Sequence, residues 1–287
     1  MNRTPYMGPD RKKGSTNIVF KIAIVVLILL FVLYAFYSCQ SKKTSDLDYD
    51  NMKLIQRQVP KDDSPVVVFE TNLGTYKAVL YPEEAPNYCK YFTDLVNDGY
   101  YNDTYAFGIE KNIYFMSGSK TNNGVSDNKT DLTETEIEKS PNLLPLKGAL
   151  CAYTQESGFL AWKKKNATSY ILNVNNYDLT DEEQSQLDEN IKKGVLDDEI
   201  PKYFEKYGGI MNWVEQYTIF GQVYDGMDIY DKICNYDIKD EETKQPADDI
   251  KYTKVYMSTY GENKNNDFFD ADEKNTPKDS SSTADSE

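Results

Sequence analysis

Short runs of apolar residues, several of them β-branched, recur along most of the chain and are separated by turn residues. The run at 66–69 is followed by turn residues at 72–74 and by a second run at 76–81, a pattern that predicts a β-hairpin. Further strands are predicted at 112–116, 149–153, 170–174, 218–223 and 250–257. Many short strands with few helices indicate a β-barrel or a β-sandwich.

Helical spacing is confined to a few short segments. Pro86 suits the first turn of a helix and Gly99 suits its end, and one face between them carries Cys89, Phe92 and Val96. Thr180 and Glu183 have the spacing of a capping box, which predicts the start of a short acidic helix. A further helix is predicted at 200–207, before a pair of glycines.

An apolar run at 18–38 is interrupted by a single charge, Lys21. About twenty helical residues, at about 1.5 Å each, reach the roughly 30 Å thickness of a bilayer's hydrocarbon core. A cleaved signal peptide is the alternative, but its apolar region is shorter, and bulky Phe36 and Tyr37 do not suit its cleavage site. The same two residues fit poorly with lipid attachment at Cys39. We therefore predict an uncleaved transmembrane anchor and the lipid bilayer as a partner.

Charge and composition set the predicted topology and the domain boundaries. Residues 1–17 are basic, and short positive flanks remain on the cytoplasmic side, so we expect a single-pass protein of the cell membrane with its C-terminal domain outside the cytoplasm. Residues 39–63 are polar and predict a stalk. The folded domain is predicted at 64–261. The acidic tail at 262–287 has too few bulky apolar groups to fold and is predicted to be disordered.

The overall composition excludes several classes of function. The chain has 287 residues, 32 Lys and Arg against 47 Asp and Glu, a formal net charge of −15 and no histidine. Without histidine, Ser-His-Asp and Cys-His catalysis and histidine-ligated metal sites are excluded. The acidic balance argues against nucleic acid as a partner, because neutralising phosphates requires Lys and Arg.

The four cysteines are widely spaced, without a C-x-x-C pair. Cys89 lies on an apolar helix face and Cys151 in an apolar strand, so both are predicted to be buried packing thiols, with a disulfide between them as an open alternative. Asp127, Lys129 and Asp131 mimic the start of a calcium loop, which then lacks its central glycine and terminal glutamate. We expect no metal and no cofactor.

Several stretches, read in order, resemble the cyclophilin family of peptidyl-prolyl cis-trans isomerases. Residues 69–74 resemble the family's T-x-x-G first turn, and residues 85–101 follow its A-P-x-x-x-x-N-F…L…G-Y-Y helix pattern. Residues 217–223, followed by 226–228 and 231–233, are close to its Y/H-T-V-F-G-x-V-x-x-G-M-D-V-V-D-K-I stretch.

The resemblance extends over residues 64–258 and implies a mostly β fold, a closed antiparallel barrel of eight strands capped by two helices. Residues 175–211 exceed what compact family members need, and we interpret them as an inserted helical loop. The implied activity is rotation about X-Pro bonds, whose barrier of about 18–20 kcal/mol makes uncatalysed isomerisation slow. In the family, an apolar pocket holds the proline ring and an arginine hydrogen-bonds the substrate, without a metal, cofactor or covalent intermediate.

The chain departs from the family at that arginine. Aligning Gly118 with the first glycine of the family's F-H-R-V-I…F-M-x-Q-G-G motif places Ile109 at the arginine position. A shift by one residue would place Gly108 or Glu110 there, and neither restores a cation. Lys111 is the nearest cation and the candidate substitute, because two residues along a strand return to the same face.

The resemblance also implies a substrate pocket formed by Phe107, Tyr114, Phe115, Ser117, Thr154, Ser169, Ile171, Trp213 and Tyr217. Ser117 and Ser169 replace polar groups of the family, whereas the remaining pocket stays largely apolar and aromatic. Tyr114 and Ile171 have a second interpretation as barrel-core residues, because successive strand residues point to opposite faces.

These features predict a membrane-tethered cyclophilin-like isomerase that assists the folding of extracytoplasmic proteins and binds their proline-containing segments. Activity is expected to be weak, because Ile109 stands at the predicted arginine position. The alternative is a catalytically inactive peptide-binding module, a holdase or an adaptor. A surface protein that uses the barrel only as a scaffold is the third interpretation.

Overall fold

The computed structural model of the chain describes residues 47, 49, 51–124, 135–157, 164–193 and 197–270. The predicted basic N-terminus and transmembrane anchor, the calcium-loop-like stretch at 127–131 and the tail beyond residue 270 lie outside these residues. Among the residues that are described, no helix combines the length and the apolar character needed to cross a bilayer.

The strands of the described part are, in chain order, β1 (Pro65–Thr71), β2 (Gly74–Leu80), β3 (Thr104–Glu110), β4 (Tyr114–Ser119), β5 (Thr135–Glu136), β6 (Ala149–Ser157), β7 (Lys164–Val174), β8 (Ile219–Asp225), β9 (Ile238–Asp240), β10 (Gln245–Pro246) and β11 (Ile250–Thr259). The first two form the predicted hairpin, with antiparallel pairing from Val66↔Val79 to Thr71↔Gly74.

Eight of these strands close into an antiparallel barrel. Their order around the wall is β4-β3-β11-β1-β2-β8-β6-β7, and β7 pairs back with β4 from Tyr114↔Val174 to Ser117↔Ile171. Closure removes the two free edges that an open sheet would present to other chains. The predicted closed eight-stranded fold is confirmed. Short β5 adds to β7, while β9 and β10 pair with each other.

Successive residues of each wall strand point to opposite sides of the barrel. On β1, Val67 and Phe69 belong to the interior core, whereas Val66 and Val68 belong to a second apolar cluster on the outer surface. All eight wall strands contribute side chains to the interior core. Membership of one cluster or the other therefore shows which way a strand residue faces.

Two helices pack on this interior core, as predicted. They are α1 (Pro86–Asn97), which buries Phe92, and α4 (Met227–Cys234), which buries Tyr230. Both are amphipathic, and their apolar faces cover core that the strands alone would leave exposed.

The start of α1 is stabilised by a residue distant in sequence. No side chain of the preceding residue caps the helix. Instead, the carboxylate of Glu138 accepts hydrogen bonds from the backbone N–H groups of Asn87 at 3.0 Å and Tyr88 at 2.8 Å. A negative charge at this position also interacts favourably with the helix dipole.

The inserted region contains two helices, α2 (Asp181–Lys192) and α3 (Glu199–Tyr207). The predicted capping box is present, because the Glu183 N–H donates to the Thr180 hydroxyl at 3.3 Å and the Thr180 N–H donates back to the carboxylate at 2.9 Å. None of the residues of α2 is buried. Gly208 follows α3 with φ +69°, a conformation that favours glycine.

The fold begins earlier than the predicted stalk boundary allows. Leu54 is buried, and Gln56 has no exposed surface. The side-chain amide of Gln56 donates to the Leu144 carbonyl at 2.9 Å and to the Gln222 side chain at 2.8 Å, and its oxygen accepts from the Leu144 N–H at 2.7 Å. The later part of the predicted stalk is therefore integral to the domain.

The fold also continues beyond residue 261, into the stretch predicted to be disordered. The Arg57 guanidinium lies 3.3 Å from the Asp270 carboxylate and packs over the rings of Tyr207 and Phe268, with centroid distances of 4.5 and 4.0 Å. Phe269 is buried. The two adjacent phenylalanines, Phe268 and Phe269, supply enough apolar surface to dock the segment on the domain.

The cysteines Cys89, Cys151 and Cys234 are buried and free, as expected for packing thiols. The alternative disulfide between the first two is not formed. Burial raises the pKa of Cys89 and of Cys234 to about 12 and raises that of Cys151 further, so all three remain protonated at neutral pH.

We predict that Gln56→Leu lowers the free energy of unfolding by about 2–4 kcal/mol, because it leaves the buried backbone groups of Leu144 and the Gln222 amide without their partners. Urea denaturation of the full chain in mild detergent would measure the change. Gln58→Leu, a matched change at a half-buried neighbour, should alter stability by less than about 0.5 kcal/mol. Equal effects of the two changes would contradict the integral role of this segment.

Candidate functional site

A β-bulge in β3 determines which of its side chains face outward. Phe107 pairs with Met116 on β4 and Glu110 pairs with Tyr114, so three residue steps on β3 oppose two steps on β4. The extra residue is accommodated at Gly108, whose φ of +55° is readily adopted by glycine. Phe107 and Glu110 therefore share the outer face, and the side chain of Ile109 points into the barrel.

This geometry corrects the position predicted for the catalytic arginine. The side chain of Ile109 has no exposed surface and belongs to the interior core. The prediction rested on aligning Gly118 with the first glycine of the family motif, and the alignment does not show which way the Ile109 side chain points. The residues of β3 that flank Ile109 are half-buried, and Gly108 lies beside Met116, because a Cβ built on it would be 3.5 Å from the Met116 sulfur.

Four residues predicted to line the pocket also face inward. Phe115 packs its ring on Tyr230, with centroids 5.1 Å apart, and Ile171 belongs to the same interior core. The Ser117 hydroxyl accepts a hydrogen bond from the buried Asn173 amide at 2.9 Å. The fourth residue, Ser169, is fully buried and lies 3.2 Å from the Tyr100 hydroxyl. These side chains serve the core, so the core interpretation holds for Ile171.

The outward side chains of β3, β4, β6 and β7, with the segment before β8, form an aromatic surface that we call the aromatic trough. Its members are Phe107, Tyr114, Met116, Tyr153, Tyr170, Trp213 and Tyr217. Four of the predicted pocket residues lie here, namely Phe107, Tyr114, Trp213 and Tyr217. Thr154 is half-buried on β6, next to Tyr153.

Ring contacts hold the trough together at both ends. At one end, the Trp213 ring lies 5.3 Å from Tyr114 and 4.9 Å from Tyr217. At the other, Tyr170 lies 5.4 Å from Phe107 and 6.2 Å from Tyr153. These tilted and edge-to-face arrangements are the ones that aromatic pairs prefer.

The floor between the two ends is apolar. Met116 pairs with Leu172 on β7, and Leu172 pairs with Cys151 on β6, so these side chains form a row across three strands on the outer face. Met116, Tyr153 and Tyr170 were not predicted as pocket residues from the sequence. The sequence pattern that could have identified them is the alternation of aromatic and other residues on β4 and β7, read with the register that pairs these two strands.

Lys244 forms an ion pair at the edge of the trough, whereas Lys111 pairs elsewhere. The ammonium of Lys111 lies 2.9 Å from the Asp237 carboxylate. Lys244 lies 3.5 Å from the Glu110 carboxylate, and its backbone carbonyl accepts a hydrogen bond of 2.8 Å from the N–H of Ile109. Because Glu110 is the cross-strand neighbour of Tyr114, the ion pair lies at the Tyr114 end of the trough.

No arginine of the described residues is available to the trough. The sequence contains three, of which Arg3 and Arg11 precede the described residues and Arg57 is engaged by Asp270 and two aromatic rings. Within the described stretches, no group of three or more carboxylate or thiol side chains is placed to hold a metal ion. The hydrogen-bond donors of the trough are therefore its tyrosine hydroxyls and the Trp213 indole.

Tyr114 and Tyr217 remain protonated at neutral pH. Burial raises the pKa of Tyr114, and the nearby Glu110 carboxylate raises it further, whereas Lys244 lowers it. Burial likewise raises the pKa of Tyr217, and the neighbouring Cys151 and Tyr114 add to the increase. Both hydroxyls can thus donate hydrogen bonds to a bound peptide.

The family can now be assigned. The family model described as "Cyclophilin type peptidyl-prolyl cis-trans isomerase/CLD" matches residues 66–256, which include all eight barrel strands apart from the ends of the first and last. The chain belongs to the cyclophilin-type peptidyl-prolyl cis-trans isomerase family.

Two curated cyclophilin-type relatives illustrate the similarity. Peptidyl-prolyl cis-trans isomerase-like 1 of Aspergillus niger is 34% identical over 77 residues, which cover 27% of this chain and 48% of that protein, about half its length. The Homo sapiens protein of the same description is 25% identical over 203 residues, covering 70% of this chain and 98% of that protein.

A solved structure agrees with the barrel fold. The crystal structure of a cyclophilin-type peptidyl-prolyl cis-trans isomerase of Cryptosporidium parvum superimposes with a TM-score of 0.50 at 20% identity, covering 68% of this chain and 98% of that chain.

We predict that Ile109→Arg destabilises this cyclophilin by more than about 3 kcal/mol, because it places an unpaired charge in the barrel core. Gly108→Arg is the matched change on the outer face. It should cost about 1–2 kcal/mol, the penalty of a left-handed conformation for a residue with a side chain. Chemical denaturation of the full chain would compare the unfolding free energies of the two variants. An Ile109→Arg variant more stable than Gly108→Arg would contradict the bulge geometry.

Proposed function

We propose that this cyclophilin is a membrane-tethered peptidyl-prolyl cis-trans isomerase of low turnover that binds proline-containing segments of extracytoplasmic proteins. The observation that carries the proposal is the aromatic trough, which lies on the outer face of the strands that bear the family's motif residues. Its rings are half-exposed at Tyr114, Tyr153, Trp213 and Tyr217 and so leave apolar surface available to a ligand.

The trough offers a proline ring an apolar environment. Met116 and Leu172 form its floor, and Trp213 and Tyr114 form one wall. A proline ring placed there would gain dispersion contacts and lose water, at about 25 cal/mol for each Å² of apolar surface removed from solvent. Displacing water from the X-Pro amide also removes hydrogen bonds that favour the conjugated, planar form, which assists rotation.

Turnover is expected to be low because no guanidinium of the described part of the chain reaches the trough. In other enzymes, the loss of one preorganised hydrogen-bond donor costs about 2.7–4 kcal/mol, or a factor of 10²–10³ in rate. Lys244 is engaged by Glu110 and Glu241, at 3.5 and 3.0 Å, and lacks the planar fork of an arginine.

The same absence favours a second candidate function, a peptide-binding module that acts as a holdase or an adaptor. Contacts with the proline ring give affinity whether or not the bond rotates, so binding does not require the arginine. The two candidates differ in turnover and not in the ligand that they bind.

We predict that the full chain, in mild detergent, isomerises an Ala-Pro test peptide at least about a hundredfold more slowly than a cyclophilin that carries the arginine. A protease-coupled or magnetisation-exchange assay would measure both rates. Rates within tenfold of each other would contradict low turnover.

Binding is measured in parallel on a Trp162→Phe background, in which Trp213 is the remaining tryptophan of the two. A shift of its fluorescence with a proline-containing peptide, and none with the alanine analogue, together with no turnover would favour the binding module. The absence of both binding and turnover would contradict both candidate functions.

The tether is proposed from the apolar run at 18–38 and from the basic residues that precede it. We predict that the full chain remains in the membrane fraction after alkaline carbonate extraction and that deletion of 18–38 releases it. Protease added to intact cells should degrade the cyclophilin domain. Release of the full chain by carbonate, or protection of the domain from protease, would contradict the tether or its orientation respectively.

A further inference from the structure

Three half-buried tyrosines of the aromatic trough have hydroxyls without a hydrogen-bond partner among the described residues. They are Tyr114 on β4, Tyr153 on β6 and Tyr217 just before β8, and we call their hydroxyls the hydroxyl cluster. They differ from the enclosed hydroxyl of Tyr81, which is buried without a partner. The cluster is therefore accessible to a ligand.

The three side chains lie along the trough. The Trp213 ring contacts both Tyr114 and Tyr217, at 5.3 and 4.9 Å. Tyr153 lies two residues from Cys151, which forms the floor beneath them through its pairing with Leu172. At the other end of the trough, the Tyr153 ring lies 6.2 Å from that of Tyr170.

A bound X-Pro segment has the groups that such a cluster would recognise. Proline lacks an N–H, so a segment that contains it cannot complete a regular backbone ladder and keeps carbonyl oxygens available. The hydroxyls of neutral tyrosines can each donate one hydrogen bond to such an oxygen. Phenylalanine at the same positions would pack equally well on a proline ring but would provide no donor.

We propose that the hydroxyl cluster donates hydrogen bonds to backbone carbonyl oxygens on either side of the rotating X-Pro amide, but not to the oxygen of that amide, and so holds the peptide in the trough with neutral donors. The ligand class is an extended peptide segment that holds the proline ring against Met116 and Trp213. This inference rests on the proposed function, because it assigns a role to residues of the same trough.

The test replaces each hydroxyl separately, as Tyr114→Phe, Tyr153→Phe and Tyr217→Phe, in the full chain. Tyr256→Phe is the matched control, because Tyr256 lies opposite Val68 of β1 on another part of the wall. Each trough variant should weaken the binding of a proline-containing peptide about two- to tenfold, the range of one neutral hydrogen bond, and the control should not. Where wild-type turnover is measurable, kcat/KM should fall with the loss of affinity, whereas kcat should change little.

A structural role would produce a different result. Thermal unfolding should be the same for all four variants and the wild type, because no protein partner loses a hydrogen bond. If the wild type binds the peptide and all three trough variants bind it with the same affinity, the hydroxyl assignment is overturned and the proposed function remains intact. A wild type that neither binds nor isomerises the peptide would overturn the proposed function and this inference together.

Discussion

Closure of the barrel between β4 and β7 is the constraint on which both the core and the trough depend. From the interior, the hydroxyls of Tyr88, Tyr101 and Tyr230 donate hydrogen bonds of 2.6, 2.8 and 2.9 Å to backbone carbonyls of β7. Because a slip of one residue would exchange the two faces of a strand, fixing β7 from inside also fixes Tyr170 and Leu172 outside. The trough is thus a consequence of how the core is packed.

Features encoded by local spacing could be predicted from the sequence, whereas the orientation of the site residues could not. The hairpin, α1 and the Thr180 capping box follow from patterns a few residues long, and the family resemblance supplied the barrel. The face of Ile109 depends on one bulge, whose sequence signal is a glycine inside the apolar stretch of β3. A shift of one residue then changes which residues belong to the core.

Contacts between distant parts of the chain account for the remaining errors. Lys244 reaches the trough because its backbone carbonyl bonds to β3, more than a hundred residues earlier in the chain. Gln56 and Arg57 lie in a polar stretch that resembles a linker, yet they bond to Leu144 and Asp270 respectively. A sequence window centred on either residue contains neither partner, so composition alone cannot distinguish a stalk from a docked segment.

The balance between affinity and rate in this trough depends on which contacts change along the reaction. Apolar contacts with a proline ring are similar in the cis, trans and twisted states, so they strengthen binding without lowering the barrier of about 18–20 kcal/mol. Hydrogen bonds that strengthen as the amide twists do lower it, and neutral donors provide about half the strength of charged ones. A trough rich in aromatic rings, with neutral hydroxyls as its donors, therefore favours binding over turnover. The strength of those donors determines how much the barrier to rotation is lowered.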